Sequence, residues 1–314
     1  IAEYFKVRGK EPTENNWKQA LVPEGGRAIR NHNGTAPGIL IEKDGKRIVL
    51  MPGPPNELES MFMEEIVPYL CTLGGNVIAS VTVKLTGIGE SSAETKVADL
   101  MEKQDNPTLA PYAKTGEVHF RVTARAETEA EAAALNEPLV AELKRRFGSA
   151  VYTTDEKVTL ERAVVDMLLA RGLTMTVAES CTGGMLAARL VNVSGVSEVF
   201  KAGFVTYANE AKSNLIHVKE ATLAQFGAVS RETAQEMAQG AAKAAAADVA
   251  VAITGIAGPD GGTEEKPVGL VYITCYVCGK TDTQEHHFIG SRMTIRERVT
   301  AAALTQLRRC LLTL

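Results

Sequence analysis

A serine, a cysteine and a threonine stand together in a small, glycine-rich turn of this sequence. Ser180, Cys181 and Thr182 are followed by Gly183 and Gly184, between an apolar, strand-like run and a helical pattern. A strand that enters a helix through such a turn places a hydroxyl beside backbone N–H groups, which favour a phosphate or a developing oxyanion. The turn therefore predicts a nucleophile or an anion-binding loop, although Ser and Thr are also ordinary helix N-caps.

A second glycine-rich loop follows another apolar strand pattern. It contains Thr254, Gly255, Ala257 and Gly258. Loops after parallel strands meet at the carboxyl edge of the sheet, so we expect both loops to face one cleft. Glycines would let backbone N–H groups approach an anion there. Neither loop ends in Gly-Lys-Ser/Thr, which excludes a P-loop.

Other elements offer cations and a base for this cleft. Arg292 and Arg296, near the start of the last helix, are candidates for bidentate phosphate contact, although surface arginines are more often simply solvated. Tyr207 and Lys212 flank the end of a further strand, and a desolvated lysine can act as general base toward Ser180. Lys212 could equally be a surface residue of its helix. The five histidines occupy no partner position, so a Ser–His–Asp triad is less favoured.

Composition narrows the class of protein. The chain has 314 residues, a net charge of −4 and five cysteines at irregular spacing. These values argue against a nucleic-acid binder and against a disulfide framework. Cys275 and Cys278 have the spacing of a zinc ligand pair but lack a second pair, so we expect no metal there. No apolar run reaches the about 18 residues of a membrane span, and we expect a soluble, cytoplasmic protein. Because the sequence opens at Ile1 in a helical pattern, we expect a fragment.

The pattern of elements predicts an α/β protein with three parts. Residues 1–72 read as the tail of an α/β domain, with a hairpin turn at Asp44-Gly45 and a proline-rich loop at 52–57 that is either a structural junction or a phosphate-facing loop. Residues 77–153 follow the order βαββα of a small α+β domain, including one helix over 90–103. Residues 155–314 alternate α and β with apolar strands, which predicts a three-layer domain with a mostly parallel sheet.

Several motifs, taken in order, resemble the CinA family of competence/damage-inducible proteins. The C-terminal part resembles the family's nicotinamide mononucleotide (NMN) deamidase domain over residues 155–314. The motifs are AESCTGG at 178–184, YANEAK at 207–212, GAVS at 227–230, TGIAGPDGG at 254–262 and KPVGLVY at 266–272. Residues 77–153 resemble the family's KH-like middle domain in position and element order. NGTAPG at 33–38 and MPGPP at 51–55 resemble the later part of its molybdopterin-binding-like front domain.

This resemblance implies a nicotinamide-nucleotide amidase of pyridine nucleotide salvage, which converts NMN to nicotinic acid mononucleotide and ammonia. Ser180 matches the nucleophile and Lys212 the general base, while Ser197 and Tyr207 match assisting positions. The turn at Cys181–Gly184, the loop from Thr254 to Gly258 and the two arginines would bind substrate. No cofactor is implied for this domain, whereas an intact front domain could use a divalent metal. We expect a small-molecule substrate, no nucleic-acid or membrane partner, and a homodimer.

Two alternatives remain open at the level of sequence. The first is a metal-dependent ADP-ribose pyrophosphatase activity of the front domain, as the resemblance implies for full-length proteins. The second is a non-catalytic, competence-related protein whose loops hold a nucleotide. The presence of both Ser180 and Lys212 favours the amidase over the second alternative.

Overall fold

The computed structural model describes all residues, Ile1–Leu314, and divides into two compact units, Ile1–Asn76 and Val77–Leu314. None of its helices combines the length and the apolar character needed to cross a membrane. The helices are α1 (Ala2–Val7), α2 (Glu14–Lys18), α3 (Pro55–Met61), α4 (Val67–Thr72), α5 (Glu90–Thr95), α6 (Ala98–Glu102), α7 (Glu129–Phe147), α8 (Leu160–Arg171), α9 (Met185–Val191), α10 (Asn209–Ile216), α11 (Glu220–Phe226), α12 (Arg231–Ala245) and α13 (Arg292–Leu312). The strands are β1 (Gly26–Ile29), β2 (Gly38–Lys43), β3 (Lys46–Leu50), β4 (Val77–Thr86), β5 (Thr108–Lys114), β6 (Glu117–Ala126), β7 (Val151–Thr153), β8 (Met175–Glu179), β9 (Phe200–Val205), β10 (Val249–Gly255), β11 (Leu270–Val277) and β12 (Lys280–His287).

The first unit is built on the antiparallel sheet β1-β2-β3. Asp44 and Gly45 join β2 to β3 with φ angles of 51° and 72°, the left-handed values that the predicted two-residue hairpin turn requires. The helical segment that follows the proline-rich loop is interrupted, because a π-helical turn at Phe62–Ile66 separates α3 from α4. Pro68, in the first turn of α4, has no N–H to continue the regular ladder.

The two motifs of the first unit that resemble the front domain lie against each other. Asn31 Nδ2 donates to Glu57 Oε2 at 2.6 Å, and Asn33 Nδ2 donates to the carbonyl of Asn56 at 2.9 Å. A Cβ at Gly34 would meet the Glu57 carboxylate, so a larger residue here would have to displace that side chain. The proline-rich loop is thus part of a packed loop–helix junction.

The part of the second unit that precedes residue 155 is a four-stranded antiparallel sheet in the order β5-β6-β4-β7. Helix α7 packs on this sheet over a core that includes Phe120, Leu143 and Leu85. Thr128 caps α7 in a reciprocal capping box with Glu131. The single helix predicted over 90–103 is wrong, since the chain forms α5 and α6 with a break between them.

The rest of the second unit has three layers. Its sheet runs β12-β11-β10-β8-β9, with α8, α9 and α13 on one face and α10, α11 and α12 on the other. Pairs β10–β8 and β8–β9 are parallel while β11 is reversed, so four of the five strands point the same way. In β10, Val251 and Ile253 face one helical layer and Ala250 and Ala252 the other. The small alanines let the alanine-rich α12 pack close to the sheet.

Two elements of this sheet layer were missed by the sequence patterns. Strand β12 is polar along most of its length, as an edge strand can be, and α11 is a short helix of seven residues. The turn between β11 and β12 also separates the two cysteines of the CxxC spacing. Cys275 is buried in β11, whereas Cys278 is exposed in the turn. The pair therefore does not form a common ligand set.

Buried cations join the two sheets of the second unit. Arg308 on α13 donates to the carbonyls of Ser149 at 2.6 Å and Val151 at 2.8 Å. Lys84 on β4 donates to the carbonyls of Glu156 at 2.7 Å and Val158 at 2.9 Å. Both side chains thus satisfy the backbone of the connection between the predicted domains 77–153 and 155–314, which share one compact unit.

We predict that Arg308→Met destabilises the second unit by about 2 kcal/mol or more, because the carbonyls of Ser149 and Val151 lose the charged donor that this buried side chain supplies. The matched control is Arg309→Met, which removes a half-exposed ion pair with Asp282 and should cost less than about 1 kcal/mol. Urea unfolding followed by circular dichroism, together with hydrogen exchange of α13, measures the free energy of unfolding of each variant. Tryptophan fluorescence cannot report on the second unit, since the single tryptophan, Trp17, lies in the first unit. Equal losses for the two variants would contradict this account.

Candidate active site

The predicted nucleophile turn directly follows β8, all five residues of which are buried. The backbone N–H of Ser180 donates to the carbonyl of Ile253 in β10 at 3.0 Å, which fixes the start of the turn to the sheet. Gly183 and Gly184 have φ angles of 59° and 95°, values that side-chain-bearing residues rarely adopt. These glycines let the chain reverse sharply into α9 and leave Ser180 at the carboxyl edge of the sheet.

The N-terminus of α9 is occupied by the carboxylate of Glu179, a residue of the same chain. Glu179 is fully buried, and its side chain accepts the N–H groups of Gly184 at 3.0 Å, Leu186 at 3.1 Å and Ala187 at 2.8 Å. The expectation that this helix end offers free donors to a phosphate is therefore wrong. The N–H groups of Cys181 and Thr182, earlier in the turn, donate to no other residue of the protein. They are the donors left for a developing oxyanion.

Lys212 lies beside Ser180, as the dyad requires. Strand β9 runs parallel to β8, so the helix that follows β9 begins at the same edge of the sheet. Lys212 Nζ is 3.2 Å from Ser180 Oγ, 2.8 Å from the carbonyl oxygen of Thr206 and 3.2 Å from that of Tyr207. The side chain is only 1% exposed and forms no ion pair with any carboxylate. The alternative of a surface lysine is thereby excluded.

The electrostatic environment distinguishes the possible nucleophiles of the turn. Burial lowers the pKa of Lys212 from its ordinary 10.5, because the charged form loses hydration that no carboxylate replaces. Burial also raises the pKa of Cys181 to about 11, so that its thiol is protonated near neutral pH. Ser180, 9% exposed and in contact with the amine, is therefore the better-placed nucleophile.

The loop after β10 is shaped by packing as well as by its position near the dyad. Thr254 is fully buried and its Oγ1 donates to the carbonyl of Ala228 at 2.6 Å. A Cβ at Gly255 would collide with Val271 and the carbonyl of Leu270, so this glycine permits the close approach of β11. Farther along the loop, the N–H groups of Ala257 and Gly258 donate to no protein acceptor.

The two arginines predicted to bind phosphate, Arg292 and Arg296 of α13, both reach the loops of the candidate site. Arg292 Nη1 donates to the carbonyl of Gly258 at 2.7 Å, and its Nη2 donates to Tyr207 Oη at 2.9 Å. Arg296, one helical turn later, donates through Nη2 to the carbonyl of Thr182 at 2.7 Å. The Nε atom of Arg296 is buried without a partner. One face of α13 thus gathers the three loops around the dyad.

Ser197 is the predicted site residue that the chain does not bring to the dyad. It lies exposed in a 3₁₀ turn before β9, whereas Ser180 lies after β8. Because these strands are parallel, the two serines are at opposite edges of the sheet, separated by roughly 20 Å of strand length. The expected assistance by Ser197 therefore has no basis in this arrangement of one chain.

Sequence reasoning also missed Glu179. The available signal was an acidic residue at the end of an otherwise apolar strand, because a carboxylate there must find donors or remain at the surface.

A separate feature of the structure is the set of side chains that could bind a metal. No group of three or more His, Cys, Asp or Glu side chains lies close enough to hold a metal ion.

We predict that the stability of the protein carries the signature of a buried lysine. Its pKa is lower in the folded protein than the 10.5 of the unfolded chain, so unfolding takes up a proton between these values. Stability of the wild type relative to Lys212→Met should therefore increase as pH rises from the lowered pKa toward 10.5. Urea unfolding of both proteins at a series of pH values measures this difference. A difference that is constant or falls with pH would show that Lys212 is not buried in the folded protein.

Comparison with known proteins places the chain in a family. The CinA C-terminal domain matches residues 157–311, and the damage-inducible protein CinA KH domain matches residues 80–153. A protein of Clostridium beijerinckii, named among the competence-damage inducible proteins, is 50% identical over 99% of this chain and 76% of its own length. A CinA-like protein of Kosmotoga olearia is 48% identical over 100% of the chain and 76% of its own. The crystal structure of competence/damage inducible protein CihA from Agrobacterium tumefaciens is 44% identical and covers 48% of this chain and 93% of its own, with a TM-score of 0.47. The chain belongs to the CinA family.

Proposed function

We propose that this chain hydrolyses the carboxamide of NMN, giving nicotinic acid mononucleotide and ammonia through a Ser180–Lys212 dyad. The observation that carries the proposal is the contact of the buried Lys212 amine with Ser180 Oγ at 3.2 Å, in the absence of a carboxylate partner. A neutral amine has two N–H donors and one lone pair. Two carbonyls, those of Thr206 and Tyr207, accept the two donors, and the lone pair then faces the serine hydroxyl.

The reaction follows from these contacts. Lys212 takes the Ser180 proton as Oγ attacks the carboxamide carbon, and the N–H groups of Cys181 and Thr182 stabilise the oxyanion. The resulting Lys212 ammonium returns the proton to the leaving nitrogen, which departs as ammonia and leaves the nicotinic acid mononucleotide group esterified through its carboxyl carbon to Ser180 Oγ. A water molecule, deprotonated by Lys212, then hydrolyses the ester and restores the serine hydroxyl.

The groups best placed to bind the nucleotide phosphate are Arg292 and Arg296 of α13. The N-terminus of α9 is filled by Glu179, so that end of the helix is closed to a second anion. Arg292 is exposed and Arg296 retains an unpaired Nε beside the turn. Guanidinium groups match phosphate geometry, and the free N–H groups of Ala257 and Gly258 can add to the contact.

We expect Ser180→Ala and Lys212→Arg each to lower kcat for NMN by at least about 1,000-fold, because members of a nucleophile–base pair act as a unit. Arginine fails as a base since its guanidinium stays protonated. The matched control is Lys201→Met, which removes an exposed lysine from β9 and should leave kcat unchanged. Ammonia release from NMN measures all four proteins. Near-normal turnover in Lys212→Arg would mean that the lysine only anchors substrate, and an inactive wild type would leave a ligand-holding protein as the better description.

We expect Arg292→Met to weaken recognition of the substrate phosphate. The kcat/KM ratio of NMN to nicotinamide riboside, which lacks the phosphate, should fall by at least about 10-fold, since a charged bidentate contact is lost. Arg298→Met is the control, because this exposed arginine of the same helix donates only to the carbonyl of Ile289. An unchanged ratio in Arg292→Met would assign the phosphate to another group.

A further inference from the structure

The buried carboxylate of Glu179 is unusual because its hydrogen-bond partners are backbone N–H groups and not cationic side chains. No Lys, Arg or His lies within ion-pair distance of it, and its three donors are backbone N–H groups in and just before the first turn of α9. Such groups carry the positive end of the helix dipole, so the charge is compensated by the helix end. The carboxylate belongs to the residue directly before Ser180 and reaches over the turn that contains the nucleophile.

The main chain of the same residue supports the other half of the dyad. The carbonyl of Glu179 accepts the N–H of Thr206 at 2.8 Å. The carbonyl of Thr206 in turn accepts a hydrogen bond from Lys212 Nζ at 2.8 Å. Glu179 thus forms hydrogen bonds through its side chain with the segment that follows Ser180. Through its backbone carbonyl it forms a hydrogen bond with Thr206, whose own carbonyl accepts from Lys212.

We propose that Glu179 is the positioning residue of the dyad. Its carboxylate takes up the N–H groups at the start of α9, which holds the turn with the Cys181 and Thr182 N–H groups free and keeps the substrate phosphate out of this helix end. The catalytic part of this inference rests on the proposed function. Its structural part stands alone: without the carboxylate, the N–H groups of Gly184, Leu186 and Ala187 are left without an acceptor.

The test is chemical rescue of Glu179→Ala by formate, a carboxylate small enough for the space of the deleted side chain. We expect kcat for NMN to fall by about 100-fold or more, because the reacting groups lose their alignment, with KM changed much less. Formate should restore kcat by at least about 10-fold in a saturable manner and raise the Tm of this variant over the same concentration range. Wild type and Asp248→Asn should not respond. Asp248 is the matched control, since its carboxylate accepts the N–H of Thr174 at 2.9 Å just ahead of β8, at the opposite end of the strand.

Glu179→Gln keeps the shape of the side chain and tests the proposal if the alanine variant does not fold. Its amide nitrogen cannot accept a hydrogen bond, so at least one N–H of the helix end loses its acceptor, and we expect kcat to fall by at least about 10-fold with KM nearly unchanged. A normal kcat in Glu179→Gln, or a formate-dependent rise in Tm without recovery of kcat in Glu179→Ala, would overturn the positioning role. If the wild type does not hydrolyse NMN, the proposed function fails, and the Tm response to formate still decides whether the helix end binds an anion.

Discussion

The candidate site depends on a lysine amine that is buried beside a serine without a carboxylate. Placing Lys212 in the interior lowers its pKa, and only the carbonyls of Thr206 and Tyr207 compensate the lost hydration. This environment favours the neutral amine, whose lone pair can accept the proton of Ser180. The fold produces the contact through parallel pairing of β8 and β9, which brings a turn and a helix start to one sheet edge.

Around this contact, the negative and positive side chains of the site lie on different elements. The carboxylate of Glu179 fills the end of α9, and the guanidinium groups of Arg292 and Arg296 reach the loops from α13. Under the proposed function, an anionic substrate would therefore meet these arginines and the unbonded N–H groups of Ala257 and Gly258, while Glu179 fills the helix end beside the nucleophile.

Sequence patterns predicted the three-layer part and placed Ser180 and Lys212 after strands whose loops converge at one edge. They left Lys212 open between a general base and a surface residue, and only the resemblance assigned it to a dyad with Ser180. The patterns did not predict which N–H groups of the loops already have a hydrogen-bond acceptor within the protein. That depends on where side chains such as Glu179 point, which a sequence pattern does not specify. The patterns gave Gly255 a ligand role, although only the coordinates reveal that β11 leaves no space for a Cβ. Ser197 was assigned to the site from resemblance, which carries no information about which sheet edge a position occupies in one chain.

The covalent step at Ser180 is the central claim, and trapping the intermediate tests it most directly. Wild-type protein would be mixed with NMN, quenched in acid within the first turnovers, digested and analysed by mass spectrometry. The account predicts that the peptide containing Ser180 carries an ester of nicotinic acid mononucleotide, with its ribose phosphate, that increases when hydrolysis of the ester is slowed and is missing in Ser180→Ala. Release of ammonia with no acyl group on this peptide, or an acyl group on Cys181, would contradict it.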